Sequence, residues 1–296
     1  MDALWMPGGL RVKHMEQTGT GMPELATPRQ ATSELRAPVK VDVNMGQRIR
    51  LLSYNIQAGI STARYRHYIT RSWKHVLPHA QRFSNLDRIA RLVKDYDIVG
   101  LQELDAGSLR SSYVNLTQYL SEKAGMPFWS DQTNRRIGRF ASHSTGLLSR
   151  FSPAEIVEHR LPGRIPGRGA LFIRYGNKQH SLVVLILHMA LGQRARLRQF
   201  DYISDIVNEY RHVIVMGDLN CHSKSAEMDY LINRTMMSEP MHDICTFPSW
   251  QPHRNIDHIL VTPTLQVDHV KALNFSLSDH LPIEMQITLP DSVHLG

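Results

Sequence analysis

Short apolar runs alternate with amphipathic stretches from about residue 48 to the end of the chain. Apolar runs bounded by polar or turn residues are typical of buried strands. They predict strands at residues 50–56, 97–101, 145–149, 169–174, 182–187, 212–216, 256–261 and 283–287. Apolar residues at helical spacing predict helices at residues 86–93, 115–124 and 194–209, the first with Asn85 as its N-cap. This mixture indicates one α/β (α+β) domain in which helices cover sheet cores.

The first 46 residues lack this periodicity. They are rich in Gly, Pro, Thr, Met and Glu, and we expect residues 1–46 to be a flexible, disordered leader. Met15, Met22 and Met45 are alternative candidates for the initiating residue. Residues 47–296 then form the single folded domain.

The net charge lies in this predicted domain. The chain of 296 residues carries a formal charge of +7, whereas residues 1–46 hold five Lys/Arg and five Asp/Glu, which cancel. A basic body suits an anionic partner such as nucleic acid, a phosphorylated small molecule or an acidic lipid surface. The alternative is that the charge is general, because many cytosolic proteins are basic without a special partner.

The cysteine content and the absence of long apolar stretches indicate a cytoplasmic protein. Cys221 and Cys245 are too few for a disulfide framework, and no CxxC pair suggests zinc. No stretch approaches the roughly 18–20 apolar residues of a membrane span. The N-terminus lacks the charged start and apolar run of a secretory signal.

Polar residues that can bind metals or transfer protons recur at the ends of the predicted strands. They are Asn55, Glu103, His188, Asp218, Asn220, Asp257, Asp279 and His280. Singly, each is more often a turn, cap or surface residue. Several in succession at strand ends indicate an active site, because the strands fix such residues at one sheet edge.

These residue types suit hydrolysis of a phosphate ester. That reaction requires a neutralised phosphate charge, an activated water and a stabilised leaving oxygen. Carboxylate and amide oxygens are hard ligands that suit Mg²⁺ or Mn²⁺, and a histidine beside a carboxylate can stay protonated. GxxxxGK[ST], HExxH and GxSxG motifs are all missing from the sequence, which argues against the reactions that depend on them.

The motifs SYNIQ, LQELD, LHMALG, MGDLN, NIDHILV and SDHLP follow one another in an order that resembles the endonuclease/exonuclease/phosphatase superfamily. The resemblance runs from about residue 48 to residue 290. It implies a four-layer sandwich of two mixed β-sheets packed face to face with helices outside. It also implies that residues 47–296 are a catalytic domain that uses Mg²⁺ or Mn²⁺.

The resemblance also implies a role for each matched residue. Asn55, Glu103 and Asp279 resemble metal-site residues, with Glu103 the principal ligand. Asp218 resembles the acid that orients or deprotonates the attacking water, and Asn220 the amide that holds phosphate and nucleophile.

The remaining matched residues form the acid–base part of the site. Asp257 resembles the carboxylate that orients and charges His280, and His280 the residue that contacts the scissile phosphate. His188 is expected to share the developing charge, although the sequence shows no clear carboxylate partner for it. A histidine at this strand end is typical of the deoxyribonuclease, sphingomyelinase and tyrosyl-DNA phosphodiesterase branches and disfavours an abasic-site enzyme.

The surrounding loops supply candidates for substrate binding. Arg110 follows Glu103 closely, Arg135 and Arg168 belong to arginine-rich segments at residues 134–140 and 161–169, and Trp250 precedes Asp257. A basic and aromatic segment at residues 64–82 could stack bases and hold phosphates. Structural ion pairs, solvated arginines, a core tryptophan and an ordinary surface loop are the respective alternatives.

The sequence therefore predicts a metal-dependent phosphodiesterase acting on nucleic acid. The alternative is a phosphoesterase for a lipid head group or a soluble phosphorylated metabolite, which would share the catalytic centre and differ in the loops. A binding module without catalysis is a remote third reading, because every matched position holds an appropriate residue.

Overall fold

The computed structural model describes residues 13–14, 46–59, 79–138, 140–163, 167–240 and 243–295. The strands in chain order are β1 (Lys13–His14), β2 (Arg48–Asn55), β3 (Ile98–Asp105), β4 (Phe128–Ile137), β5 (Ala141–Ser149), β6 (Glu155–Arg160), β7 (Gly169–Gly176), β8 (Ser181–His188), β9 (His212–Asp218), β10 (Asp257–Val261), β11 (Gln266–Ala272) and β12 (Ile283–Thr288). The helices are α1 (His79–Val93), α2 (Leu116–Ala124), α3 (Gln193–Asn208) and α4 (Ala226–Arg234), with short 3-10 turns at Gln57–Gly59 and Leu109–Ser111.

These strands form two six-stranded sheets. Sheet A has the order β1-β6-β7-β8-β9-β10, and sheet B has the order β11-β12-β2-β3-β5-β4. Both sheets are mixed, with β8 parallel to β9 in sheet A and β2 parallel to β3 in sheet B. The carboxyl ends of each parallel pair therefore lie at the same edge of their sheet.

Three apolar clusters hold the layers together. The central cluster joins the facing sides of the sheets, with Leu51 and Ile98 from sheet B against Ile186 and Met216 from sheet A. Successive residues on a strand point to opposite faces, so Leu52 belongs to the cluster on the outer side of sheet B. Strands buried on both faces appear in the sequence as continuous apolar runs.

Helices cover the outer face of each sheet. Leu86 of α1 and Leu120 of α2 pack on sheet B, whereas Phe200 of α3 and Met228 of α4 pack on sheet A. The result is the four-layer sandwich of two mixed sheets with helices outside, which confirms the predicted fold class. Among the described residues, none of the helices combines the length and the apolar character that crossing a membrane requires.

Most predicted elements are present, with differences at their ends. The helix predicted at residues 86–93 begins earlier, at His79, so Asn85 lies inside α1 and is not an N-cap. Asn115 caps α2, because its side chain accepts hydrogen bonds from the Thr117 and Gln118 amides. Lys13–His14, within the expected leader, pair with β6. Residues 64–78 of the basic and aromatic segment lie outside the described residues.

The sequence interpretation missed β4, β6, β11 and α4. The strands β4 (FWSDQTNRRI) and β6 (EIVEHR) are rich in polar residues, and β11 is largely exposed. An apolar run could not identify them, because each presents a polar surface. The short helix α4 begins after Ser225, whose side chain accepts a hydrogen bond from the Met228 amide.

Candidate active site

The ends of strands from both sheets meet at one edge of the sandwich. Asn55 ends β2 and His188 ends β8, while Asp218 ends β9. In sheet A the register places Asp218 between His188 of β8 and Asp257 of β10. The predicted polar residues are therefore neighbours through strand pairing as well as through their side chains.

Asp218 lies at the centre of the group. Its Oδ2 accepts a hydrogen bond of 3.2 Å from Nδ2 of Asn55 in the opposite sheet. The same oxygen lies 3.7 Å from Nε2 of His188 and 3.9 Å from Nε2 of His280. Burial and the charge on Asp257 raise the pKa of Asp218. A carboxylate in such a position can accept a proton near neutral pH.

The backbone around Asp218 explains why the MGDLN motif has this composition. Gly217 has φ +142°, and a Cβ there would lie 2.0 Å from the Leu187 carbonyl oxygen. Asn220, at φ 54°, donates its backbone N–H to Oδ1 of Asp218 at 3.0 Å. Its Nδ2 donates to the Met189 carbonyl at 3.1 Å. Glycine thus permits the close strand approach, and Asn220 fixes the carboxylate.

His280 and Asp257 form a buried ion pair. Nδ1 of His280 donates to Oδ2 of Asp257 at 2.8 Å, and the Thr246 hydroxyl donates to the same oxygen. Burial alone would lower the pKa of His280, but Asp257 and the neighbouring carboxylates raise it to about 10. The ring is therefore protonated at neutral pH, with Nε2–H on the side of Asp218.

Glu103 and Asp279 form the second acidic part of the site. Burial and the charge on Asp279 raise the pKa of Glu103, and burial also raises the pKa of Asp279. Asp279 accepts hydrogen bonds from Nε2 of Gln57 at 3.2 Å and from the Ser278 hydroxyl at 3.1 Å. Glu103 itself has φ 55°, within a register shift of β3 against β5.

His188 faces a cation as well as acids. Its Nε2 lies 3.9 Å from Oε1 of Glu103, but Nη1 of Arg168 is closer, at 2.7 Å. Burial and the charge on Arg168 hold the pKa of His188 well below its usual range. His188 is therefore neutral, and Arg168 carries the positive charge at this side of Asp218.

The part of the sequence that contains these motifs matches a known family. A sequence model of the Endonuclease/Exonuclease/phosphatase family matches residues 52–280. The chain belongs to this family. As the name states, the family contains nucleases and phosphatases, which hydrolyse phosphate esters.

Solved structures of Endonuclease/Exonuclease/phosphatase proteins share the fold. A family member from Beutenbergia cavernae is 19% identical with a TM-score of 0.65, covering 82% of this chain and 72% of that one. A mannosyl-6-phosphatase from Bacteroides thetaiotaomicron is 18% identical with a TM-score of 0.62, covering 81% and 100%. A humanized D. rerio TDP2 is 16% identical with a TM-score of 0.58, covering 81% and 99%. A search of curated proteins found no match.

The acids of this family site fit a divalent cation. Three buried carboxylates, from Asp218, Asp257 and Asp279, lie with the half-buried Glu103 in one site, and the charge on Asp279 raises the pKa of Glu103. An added cation would relieve this repulsion, and oxygen ligands suit Mg²⁺ or Mn²⁺. Asp218, Asp257 and His280 also present atoms within 4.8 Å of one another, as a metal site could.

A cleft of about 930 Å³ opens beside Glu103 and His188. Of the predicted substrate-binding residues, Arg135 and Arg168 line it, whereas Trp250 lies outside its described lining. Arg110 lies in the 3-10 turn after β3, and its side chain is outside the described residues. Sequence reasoning missed Arg194 and Arg198, which also line the cleft. Their four-residue spacing on a predicted helix directly after His188 was the available signal.

Proposed function

We propose that this protein is a divalent-metal-dependent phosphoesterase that hydrolyses a phosphodiester, with nucleic acid as the first candidate substrate. The observation that carries the proposal is the convergence of Asp218 at the end of β9 with Asn55 at the end of β2 and with His280 in the loop before β12. Asp218 has a raised pKa and lies 3.9 Å from the protonated ring of His280. A base and an acid thus share one small site at the mouth of a basic cleft.

The proposed reaction assigns proton transfer to Asp218. Asp218 takes a proton from a water, whose oxygen forms a bond to phosphorus while the ester P–O bond breaks. The departing oxygen takes up a proton from solvent water and leaves as an alcohol, and Asp218 then releases its proton to solvent. Asn220 fixes Asp218 through its backbone N–H, and its side-chain amide is the group that we assign to holding the phosphate and the nucleophile.

His280 and Arg168 supply positive charge to the phosphate. Nε2–H of His280 donates to a non-bridging oxygen, and Asp257 keeps the ring charged and oriented. Arg168 donates from the opposite side of Asp218, held by its contact with His188. Fixed donors of this kind act where the negative charge of the transition state develops.

Asn55, Glu103 and Asp279 would hold the metal. A bound Mg²⁺ or Mn²⁺ supplies Lewis-acid stabilisation of phosphate charge. We assign Asp257 and His280 to binding the phosphate instead, because Nδ1 of His280 is already bonded to Asp257 and a protonated imidazole cannot be a ligand.

The basic cleft supports an anionic substrate but also fits the second candidate. Arg135, Arg168, Arg194 and Arg198 line it. The family name covers nucleases and phosphatases, and a structural relative is named a mannosyl-6-phosphatase. A lipid head group or a soluble phosphorylated metabolite is therefore the alternative substrate. The expected setting is the cytoplasm.

A substrate panel tests the proposal. Purified protein is incubated with Mg²⁺, with Mn²⁺ or with EDTA and offered single-stranded, double-stranded and abasic DNA, RNA, 5′-tyrosyl DNA, sphingomyelin and sugar or inositol phosphates. We expect metal-dependent hydrolysis of the nucleic acids and none by Asp218→Asn. Hydrolysis confined to the small phosphates or to sphingomyelin would favour the second candidate. If the wild-type protein cleaves no phosphate ester with either metal, the proposed function is wrong.

A further inference from the structure

We propose that the cleft contains a second anion-binding subsite, formed by Arg135, Arg194 and Arg198, which takes a phosphate group of the substrate other than the one hydrolysed. The proposal rests on the proposed function in assigning this anion to the substrate. It deepens that function by stating a substrate class: esters that carry a further phosphate beside the scissile one.

The charged side chains that line the cleft are mostly positive. Among the described residues of its lining, the charged side chains are four arginines and one carboxylate, that of Glu103. Glu103 lies at the catalytic end, where Arg168 and His280 face it. Arg194 and Arg198 of α3 line the same cleft and have no role in the catalytic contacts described above.

Arg194 and Arg198 are placed together on one side of α3. A spacing of four residues puts two side chains on the same helix face, and like charges at this spacing destabilise a helix. Both are exposed, and within the described part of the chain neither has a carboxylate at ion-pair distance. Arg196 between them points elsewhere and is buried, with its Nε donating to Glu227 at 3.1 Å. The helix therefore neutralises one arginine and presents the other two to the cleft.

Arg135 comes from β4, at the edge of sheet B. Gly167 passes against it with φ +110°, and a Cβ on Gly167 would lie 2.9 Å from Cβ of Arg135. This close passage brings Arg168 near Arg135, whose charge, after burial, lowers the pKa of Arg168. Arg135 is therefore fixed by this contact in the cleft that Arg194 and Arg198 also line.

The N-terminus of α3 lies at the same cleft. Gly192 is the N-cap and provides no side-chain hydrogen bond, and the first turn contains no acidic residue. Gly192 and Gln193 both line the cleft. Backbone N–H groups at a helix start favour an anion. Here that contribution adds to the arginine side chains, which are the primary observation.

A phosphate is the anion that this arrangement suits best. Guanidinium groups bind phosphate oxygens through paired hydrogen bonds, and several of them can surround one phosphate. The catalytic residues already account for one phosphate at Asp218. A second phosphate on the same molecule, as in a polynucleotide or a bisphosphate, would then reach Arg194 and Arg198 along the cleft.

The test is a binding titration of inorganic pyrophosphate in EDTA, where no turnover occurs. Isothermal titration calorimetry compares the wild-type protein with the double variant Arg194→Gln, Arg198→Gln and with the single variant Arg135→Gln. We expect the dissociation constant to rise at least ten-fold in the double variant and several-fold in the single variant. The altered side chains are exposed, and circular dichroism and melting temperature verify that both variants are folded.

A matched control removes the same charge elsewhere. Lys178 and Arg211 are exposed near the starts of β8 and β9, at the opposite edge of sheet A. Lys178→Gln, Arg211→Gln should change the dissociation constant less than two-fold. Equal weakening in the cleft and control variants, or no weakening in either, would overturn the subsite.

The proposed function and the anion-binding subsite are tested by separate measurements, so either can be wrong without the other. Hydrolysis of bis(p-nitrophenyl) phosphate, which carries one phosphate, by the wild-type protein with Mg²⁺ tests the proposed function. The pyrophosphate titration needs no hydrolysis. A protein that binds pyrophosphate through α3 but cleaves no ester retains the subsite and loses the catalytic proposal.

Discussion

Nη1 of Arg168 lies 2.7 Å from Nε2 of His188, at the end of the strand that leads into the site. A guanidinium can only donate, so Nε2 of His188 accepts and the imidazole proton is on Nδ1. His188 therefore acts as a neutral support that holds Arg168, and the charge expected for His188 from the family resemblance is supplied beside it by Arg168.

Replacing Arg168 should reduce catalysis strongly. Arg168→Gln removes a fixed cation beside Asp218, and loss of one such donor typically lowers kcat about 10²- to 10³-fold. Steady-state kinetics on bis(p-nitrophenyl) phosphate with Mg²⁺ measure the effect. Arg160→Gln, at an exposed arginine ending β6, is the matched control and should keep kcat within about two-fold. Equal kcat values in the two variants would show that Arg168 has no role in catalysis.

Asp218→Asn and His280→Ala should each lower turnover by about 10² to 10⁴, because positioned acid and base groups contribute that much. Asp218→Asn keeps the shape of the side chain, so the melting temperature should change little. Kinetics and thermal unfolding are measured on the same preparations. Near-normal turnover in either folded variant contradicts its assigned role.

The extent to which sequence predicts this fold depends on burial. The run at residues 182–187 lies inside β8, which is buried on both faces, and such a run has one reasonable interpretation. In contrast, β11 is largely exposed, and its apolar residues Val267 and Val270 are only partly buried against the core. They form no continuous apolar run, so an interpretation based on such runs does not identify this strand.

The candidate site, like the fold, could be predicted from the sequence only in part. The motifs indicated Asp257 and His280 as partners, and the structure places them 2.8 Å apart. The contact between Arg168 and His188 depends on the register of β7 with β8, in which Ala170 faces Leu187 and so brings Arg168 beside the end of β8. The register of β7 with β8 is a property of the folded sheet and could not be predicted from the separate apolar runs.

The pH dependence of catalysis should depend on the ion pair between His280 and Asp257. His280 must be protonated, and Asp257 raises its pKa to about 10, so on the alkaline side activity should fall as the pH rises through about 10. On the acid side it should fall as Asp218, whose pKa is raised by burial, becomes protonated. Asp257→Asn removes that charge and should move the alkaline fall to lower pH. The logarithm of kcat/KM against pH, with saturating Mg²⁺, measures the shift. An unchanged alkaline limb in a folded Asp257→Asn protein would falsify the role of the pair.

Metal removal should abolish activity, and Glu103 should set the metal affinity. EDTA is expected to stop hydrolysis and added Mg²⁺ to restore it, because the acids of the site fit a divalent cation. Glu103→Gln should raise the dissociation constant for Mn²⁺, measured by electron paramagnetic resonance, about ten-fold or more. Asp291→Asn, at an exposed carboxylate near the C-terminus, is the control and should bind Mn²⁺ as the wild type does.

His212 should make the fold sensitive to acid. It is 5% exposed at the start of β9, its Nδ1 lies 2.8 Å from the Thr264 hydroxyl, and burial lowers its pKa to about 4. Above about pH 6.5 the ring is neutral in both the folded and unfolded states, so it has no effect on the pH dependence of stability. Between pH 6.5 and 4 only the unfolded state binds the proton. The free energy of unfolding therefore decreases as the pH is lowered through this range. Urea unfolding at pH 7 and pH 5 should show a loss of unfolding free energy about 2 kcal/mol smaller in His212→Asn than in the wild type. The exposed His294→Asn should lose as much as the wild type, and an equal loss in all three proteins would show that His212 titrates normally in the fold.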